Sequence, residues 1–156
     1  MTSGLRELYG DAILDHCKQP RNCRALEDAD RRSDAWNPVC GDRVTLYLRR
    51  EGEVLTEICF QATACALVRA SASMLTAALT GRRLDEARRL ASAFRAFLDE
   101  ARGSQAQVPE LGGLQVFAAV RAFPARVTCA LLAWDALDLA LGHSTPATIS
   151  ASLWEP

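Results

Sequence analysis

Within the stretch WNPVCGDRVTLYLR, residues 36–49, a thiol and a carboxylate stand two positions apart: Cys40 and Asp42. They occupy a Pro/Gly turn at the mouth of an alternating strand. Two further cysteines, Cys65 and Cys129, fall at the ends of predicted elements. Three thiolates and one carboxylate make the four-ligand set that zinc takes tetrahedrally, and thiolate-rich sites also suit iron–sulfur clusters. Asp42 is the natural fourth member. Residues two apart in an extended segment point the same way, and Gly41 lets the backbone bend between them. A carboxylate is more easily displaced than a fourth thiolate, so the set is suited to exchanging a ligand rather than locking a fold. The separations, 25 and 64 positions, are unlike the compact CxxC knuckles of zinc fingers. Only the folded chain can bring these groups together.

The elements that must do so are legible as periodicities. Residues 5–17 carry a helical stripe of Leu5, Leu8, Tyr9, Ala12, Ile13 and His16, ended by Pro20. Val44, Leu46 and Leu48 alternate with polar neighbours, REGE turns, and Val54, Thr56, Ile58 and Phe60 alternate on the return. This pattern predicts a hairpin. Helical spacing follows over 66–80, with Gly81 as the C-cap, and again over 84–102. GSQAQVPE is a flexible loop, helix returns near 113–121, and a last helix spans 126–141. The fold class is α+β: a small antiparallel sheet with helices packed on one face. Residues 1–142 form a single domain, and 143–156 a weakly patterned tail.

Cys65 then lies at the start of one helix and Cys129 in the first turn of another. Helix amino termini favour anions, so both thiols are expected to ionise more readily than a free cysteine.

At 156 residues, 49% hydrophobic and 24% charged, the chain has the make-up of an ordinary globular domain. Eighteen basic against nineteen acidic side chains give a charge of −1, which excludes an electrostatic footprint for nucleic acid or an anionic membrane. The first residues lack a signal architecture, and the apolar run near the end, VTCALLAWDALDLALG, holds Asp135 and Asp138 and is too short to span a bilayer. The expected location is the cytoplasm, where Cys17, Cys23 and Cys59 are unpaired thiols and a cysteine cluster signals metal or redox chemistry. His16 reads as a packing residue and His143 as a helix-end residue. Neither stands near a thiol in sequence, which disfavours a Cys/His hydrolase.

LDHCKQPRN, NPVCGDR, CALVRASASMLT and FPARVTCALLAWDAL occur here in the order found in a known family. Across residues 5–141 the chain resembles the U-type iron–sulfur cluster assembly proteins (the IscU/NifU-like superfamily), specifically the SufU branch. The long segment between Cys65 and Cys129 fits that branch, and Thr128 stands where scaffold members carry histidine.

The resemblance implies a Zn2+ ion held by Cys40, Asp42, Cys65 and Cys129. It also implies a persulfide carrier rather than a stand-alone enzyme. Cys40 accepts sulfur from a PLP-dependent, SufS-type cysteine desulfurase, a histidine of which takes the thiol's place on the metal. Arg126 of the FPAR turn is the candidate to steady the anionic sulfur, and downstream iron–sulfur assembly proteins receive it. The resemblance leaves an alternative on the same ligands, a scaffold on which an iron–sulfur cluster is built and transferred. A structural-zinc interaction module is a third reading, against which Asp42 argues. The sequence departs from the family at Ala62 and Ala64, which replace glycines, at Ala66 and Val68, which replace small hydroxyl residues, and at Thr128, which replaces the lysine typical of SufU. The added methyl groups crowd Cys65, and the loss of hydroxyls at Ala66 and Val68 removes side-chain donors beside it.

Overall fold

The structure is a computed structural model, and it describes residues 2–99 and 109–142, with side chains from residue 10 onward. Helix α1 (Thr2–Lys18) precedes a sheet of β1 (Arg31–Trp36), β2 (Arg43–Glu51) and β3 (Val54–Thr63). Helices α2 (Ala66–Leu79) and α3 (Leu84–Asp99) follow, then a 3-10 segment (Pro109–Val120) and α4 (Pro124–Ala140). No helix among the described residues is long and apolar enough to cross a membrane.

The sheet is antiparallel throughout, in the order β1-β2-β3. Val44, Leu46 and Leu48 of β2 all turn to the core, as their alternation requires. On β3 the parity changes. A register shift between Arg49 and Arg50 turns Leu55 inward in place of Val54 and Thr56, before Ile58 and Phe60 resume the expected face. Strand β1 was hidden in sequence because RRSDAW has only small residues, Ser33 and Ala35, facing in. They are small because α4 lies directly against them. The Ser33 hydroxyl donates to the Ala136 carbonyl at 2.6 Å.

Helices α2 and α4 lie side by side on this face, with α1 against α2 and α3 against the 3-10 segment. The predicted one-sided arrangement holds. The opposite face carries a small cluster of Leu26, Tyr47 and Cys59. Trp134 is fully buried, its ring 4.7 Å from that of Phe94, which meets Phe117 edge-on at 5.6 Å.

Ser71 of α2 joins the two site-bearing helices. Its hydroxyl donates to the Ala130 carbonyl and accepts the Trp134 indole N–H at 3.1 Å. Both helices are thus locked together within two turns of the predicted cysteines.

Several boundaries differ from the sequence reading. α1 is longer and kinks at Gly10, whose φ of +87° only glycine adopts freely. Leu14, off the expected stripe, is buried as well as Ile13. Leu5, Leu8 and Tyr9 lie outside the described side chains. The cap of α2 is Thr80, with Gly81 just beyond it. α3 is described to Asp99, and most of the GSQAQVPE loop and the tail lie outside the described residues, as does His143. The segment predicted near 113–121 begins at Pro109 and kinks at Gly112.

One buried charge gives this core a pH signature. Asp135 is 2% exposed, with Oδ1 2.9 Å from the Arg95 guanidinium but out of hydrogen-bond line. Burial outweighs the arginine and pushes the carboxyl from an ordinary 3.8 up to about 6. Between those values the folded chain holds a proton that the unfolded chain has released, so stability falls as pH rises. The full shift corresponds to about 3 kcal/mol, of which about 2 kcal/mol is lost from pH 4 to pH 6. Denaturant titrations across that window should show Asp135→Asn removing this fall. A pH dependence identical to that of the natural chain would contradict the assignment.

Candidate metal centre

The 37–42 loop is built by Asn37. Its side-chain oxygen accepts the Val39 N–H at 3.0 Å, its carbonyl accepts the Gly41 N–H at 2.8 Å, and its own N–H donates to the Asp42 carbonyl at 2.9 Å. Gly41 closes the loop at a φ of +78°, in the left-handed region. The segment is a turn rather than the extended stretch expected, and it leaves Cys40 exposed at the tip with Asp42 at the entry to β2. Asn37 was not singled out from sequence. An Asn before Pro is the available signal, since its side chain readily binds the backbone two residues on.

Cys65 is the N-cap residue of α2. Cys129 lies further into its helix than predicted, because α4 starts at Pro124, well suited to the first position. It therefore sits in the second turn, away from the free N–H groups.

The fold brings these residues to one place. One ligand atom each of Cys40, Asp42 and Cys129 lies within 4.8 Å of the others. Tetrahedral zinc–thiolate geometry needs ligand separations of about 3.8 Å, so small side-chain rotations suffice. Cys65 lies outside that group of three but faces it. The Cys129 thiol and the charge of Asp42 are close enough to act on its proton affinity.

Proton affinities follow from these contacts. The Cys129 hydrogen bond, opposed by burial and helped by the Val68 and Leu67 N–H groups at the head of α2, pulls Cys65 down to about 6. Backbone donors thus serve where Ala66 and Val68 supply no side-chain donor. Cys129 moves the opposite way, pushed up first by Cys65, then by burial and by Cys40 and Asp42. The expectation that both thiols ionise readily holds for Cys65 and fails for Cys129, which lacks a helix end and faces a neighbouring anion. Cys40 is also raised, by desolvation first, with Asp42 adding to it.

Beside the cysteines lies an open, mostly apolar hollow of about 430 Å3, lined by Pro38, Val39, Pro124 and Ala125 with Cys40 and Cys129. Val39 is 92% exposed and Phe123 45%. The Arg126 guanidinium stacks over the Phe123 ring at 4.8 Å. Thr128 turns its hydroxyl to the Pro124 carbonyl of its own helix. His16 is engaged with the Ser73 hydroxyl at 2.7 Å, as a packing residue should be. All six cysteines are free thiols, Cys59 being buried on the far face of the sheet.

Comparison with known proteins bears on this arrangement. Residues 8–130 match the profile of the NifU-like N terminal domain. The chain is 36% identical over 137 residues to the zinc-dependent sulfurtransferase SufU of Bacillus subtilis, covering 87% of this chain and 90% of that one. It is 34% identical over 145 residues to the iron–sulfur cluster assembly scaffold protein IscU of Streptococcus pyogenes, covering 93% and 89%. Among solved structures, a putative iron–sulfur cluster assembly scaffold protein for the SUF system from Fervidobacterium islandicum superposes with a TM-score of 0.79 at 28% identity. That match covers 87% of this chain and 98% of the other.

The proton shared between two sulfurs can be read by alkylation. In chelator-treated protein, iodoacetamide labelling of Cys65 should rise with a midpoint near pH 6, well below that of Cys40. Cys129→Ala should move the Cys65 midpoint upward by removing the hydrogen bond. Peptide mass spectrometry that finds the same midpoint for Cys65 and Cys40 would contradict the geometry.

Proposed function

The chain belongs to the NifU-like N terminal domain family, and on that premise we propose that it serves iron–sulfur cluster assembly as a zinc-dependent sulfur acceptor. In this reading Cys40 takes persulfide sulfur from a SufS-type, PLP-dependent cysteine desulfurase. The observation that carries the reading is the meeting of exposed Cys40 with Asp42 and Cys129, and with Cys65 beside them. The donor set fits zinc in kind: two sulfurs and one carboxylate lie within 4.8 Å of one another, and Cys65 beside them would supply the fourth ligand.

Cys40, Asp42, Cys65 and Cys129 would hold the ion. When bound, zinc would keep the thiols deprotonated at neutral pH. Everything else is the work of the chain. The hydrogen bonds of Asn37 hold the root of the 37–42 loop and leave its tip in solvent, so a partner can reach the Cys40 sulfur. The Cys40 thiolate attacks the outer sulfur of the partner's persulfide. A new S–S bond forms to Cys40, the partner's S–S bond breaks, and the partner cysteine leaves as a thiolate. The outer sulfur keeps its proton or releases it to water. Without an ion, burial and Asp42 raise the proton affinity of Cys40 and restrain this attack. We assign Arg126 the role of steadying the anionic sulfur, from its position in the turn that leads to Cys129. The apolar hollow beside Val39 gives the partner a dry surface against which to exclude water.

A scaffold role on the same ligands is the second reading, favoured by the extent of the likeness to the Streptococcus pyogenes scaffold protein. The two roles separate in one experiment. Mixed with a SufS-type desulfurase and cysteine, the protein should raise turnover well above that of the desulfurase alone, and Cys40→Ala should return it to the unassisted rate. Full activation by that variant would exclude the sulfur-acceptor role. Anaerobic incubation with iron and sulfide that yields a stable, transferable chromophore dependent on Cys40, Cys65 and Cys129 would favour the scaffold.

A further inference from the structure

A second hollow, of about 110 Å3, opens at the other end of the sheet. It lies between the start of β1, the β2–β3 hairpin, α3 and the end of α4. Arg43 pairs with Trp36 beside the Cys40 loop, whereas Leu48 pairs with Arg31 at this hollow. Five residues of strand separate the two ends by about 16 Å. On α4 the twelve residues from Cys129 to Leu141 span about 18 Å. The hollow is separate from the cysteine site.

Its walls divide by chemistry. Leu48, Leu55 and Leu84 form an aliphatic floor, and Arg31, Arg50 and Arg88 stand around it. Neighbouring arginines are paired: Arg24 with Glu57, Arg32 with Asp34, and Arg49 with Asp28 and Glu57. Among the described residues the guanidiniums of Arg31 and Arg50 have no such partner. Arg88 donates one N–H to the Leu141 carbonyl at 2.9 Å, while its buried Nε–H has no acceptor. The one acid of the lining, Asp30, already accepts the Arg50 backbone N–H at 2.8 Å. Three guanidiniums therefore face a single, already engaged carboxylate.

We infer that this hollow binds a small aliphatic carboxylate, its head held by Arg31 and Arg50 and its hydrocarbon body resting on the leucine floor. A carboxylate supplies acceptors to the Arg31 and Arg50 guanidiniums, and two arginines suit its two oxygens. A bare oxyanion such as phosphate would leave the leucines uncovered, and an uncharged hydrocarbon would make no use of the exposed Arg31 and Arg50 guanidiniums. A cavity of about 150 Å3 accommodates benzene, so this one suits a body of roughly four or five carbons.

The test is titration of the full chain, as purified, with 3-methylbutanoate and with acetate at matched ionic strength, followed by calorimetry and by methyl NMR. Saturable binding is expected, tighter for 3-methylbutanoate by about tenfold or more because of the extra buried carbons. The Leu48, Leu55 and Leu84 methyl resonances should shift. The double variant Arg31→Gln, Arg50→Gln should weaken binding by about tenfold or more while leaving the unliganded unfolding temperature and the Cys40-dependent activity unchanged. No saturation by about 20 mM, equal affinity for acetate, unshifted leucine methyls, or undiminished binding by the double variant would each overturn the proposal.

Discussion

Three sulfurs and a carboxylate crowded into one corner repel one another as they ionise, and the structure is organised around that repulsion. Cys129 is driven toward its protonated form by Cys65, and Cys40 by partial desolvation of its sulfur and by Asp42, while Cys65 alone is eased into the thiolate. A protein that only needed to bury cysteines would have no reason to place a carboxylate among them. The arrangement is costly as an anion cluster and becomes favourable when a cation neutralises it. In the proposed reading, ligand choice would set how firmly that cation is held. One oxygen among the sulfurs, and one sulfur on an exposed loop, would make the grip releasable.

Holding these groups in place is the work of the core. The loop carrying Cys40 and Asp42, the cap carrying Cys65 and the helix carrying Cys129 belong to three different parts of the chain. Ser71 ties α2 to α4 by accepting from Trp134 and donating to Ala130, and Ser33 ties β1 to α4 through Ala136. Each is a buried polar group whose bonding is satisfied in only one register of helix against helix or strand. Around them the Trp134, Phe94 and Phe117 rings fill the space without reaching the site. The corner is therefore set by packing at a distance, and the loop that carries the exchangeable thiol is set locally by Asn37.

Much of this was legible in the chain, and the exceptions have physical causes. Strong apolar alternation revealed β2, and strong helical spacing revealed α2 and α3. β1 escaped because a strand pressed against a helix needs small inward residues, and Ser33 and Ala35 leave no hydrophobic trace. Leu55 was assigned to the wrong face because a bulge at Thr56 of β3 changes the strand's parity without any mark in its sequence. The four candidate ligands were found by type and by their place at element ends. The opposite behaviour of Cys65 and Cys129 was not legible: it depends on α4 starting at Pro124 rather than two residues later, and on which sulfur faces which. Asn37 could have been recognised from its place before Pro38. The arginines of the distant hollow could not, since their lack of partners is a property of the folded surface alone.

The central claim is that one ion is held between a loop, a helix cap and a second helix turn. X-ray absorption at the zinc edge, with elemental analysis, on protein purified without added metal examines it most directly. The account predicts about one zinc per chain, with three sulfur neighbours near 2.3 Å and one oxygen near 2.0 to 2.2 Å. Protein that carries no metal and acquires none when zinc is supplied, or zinc surrounded only by nitrogen and oxygen, would contradict it.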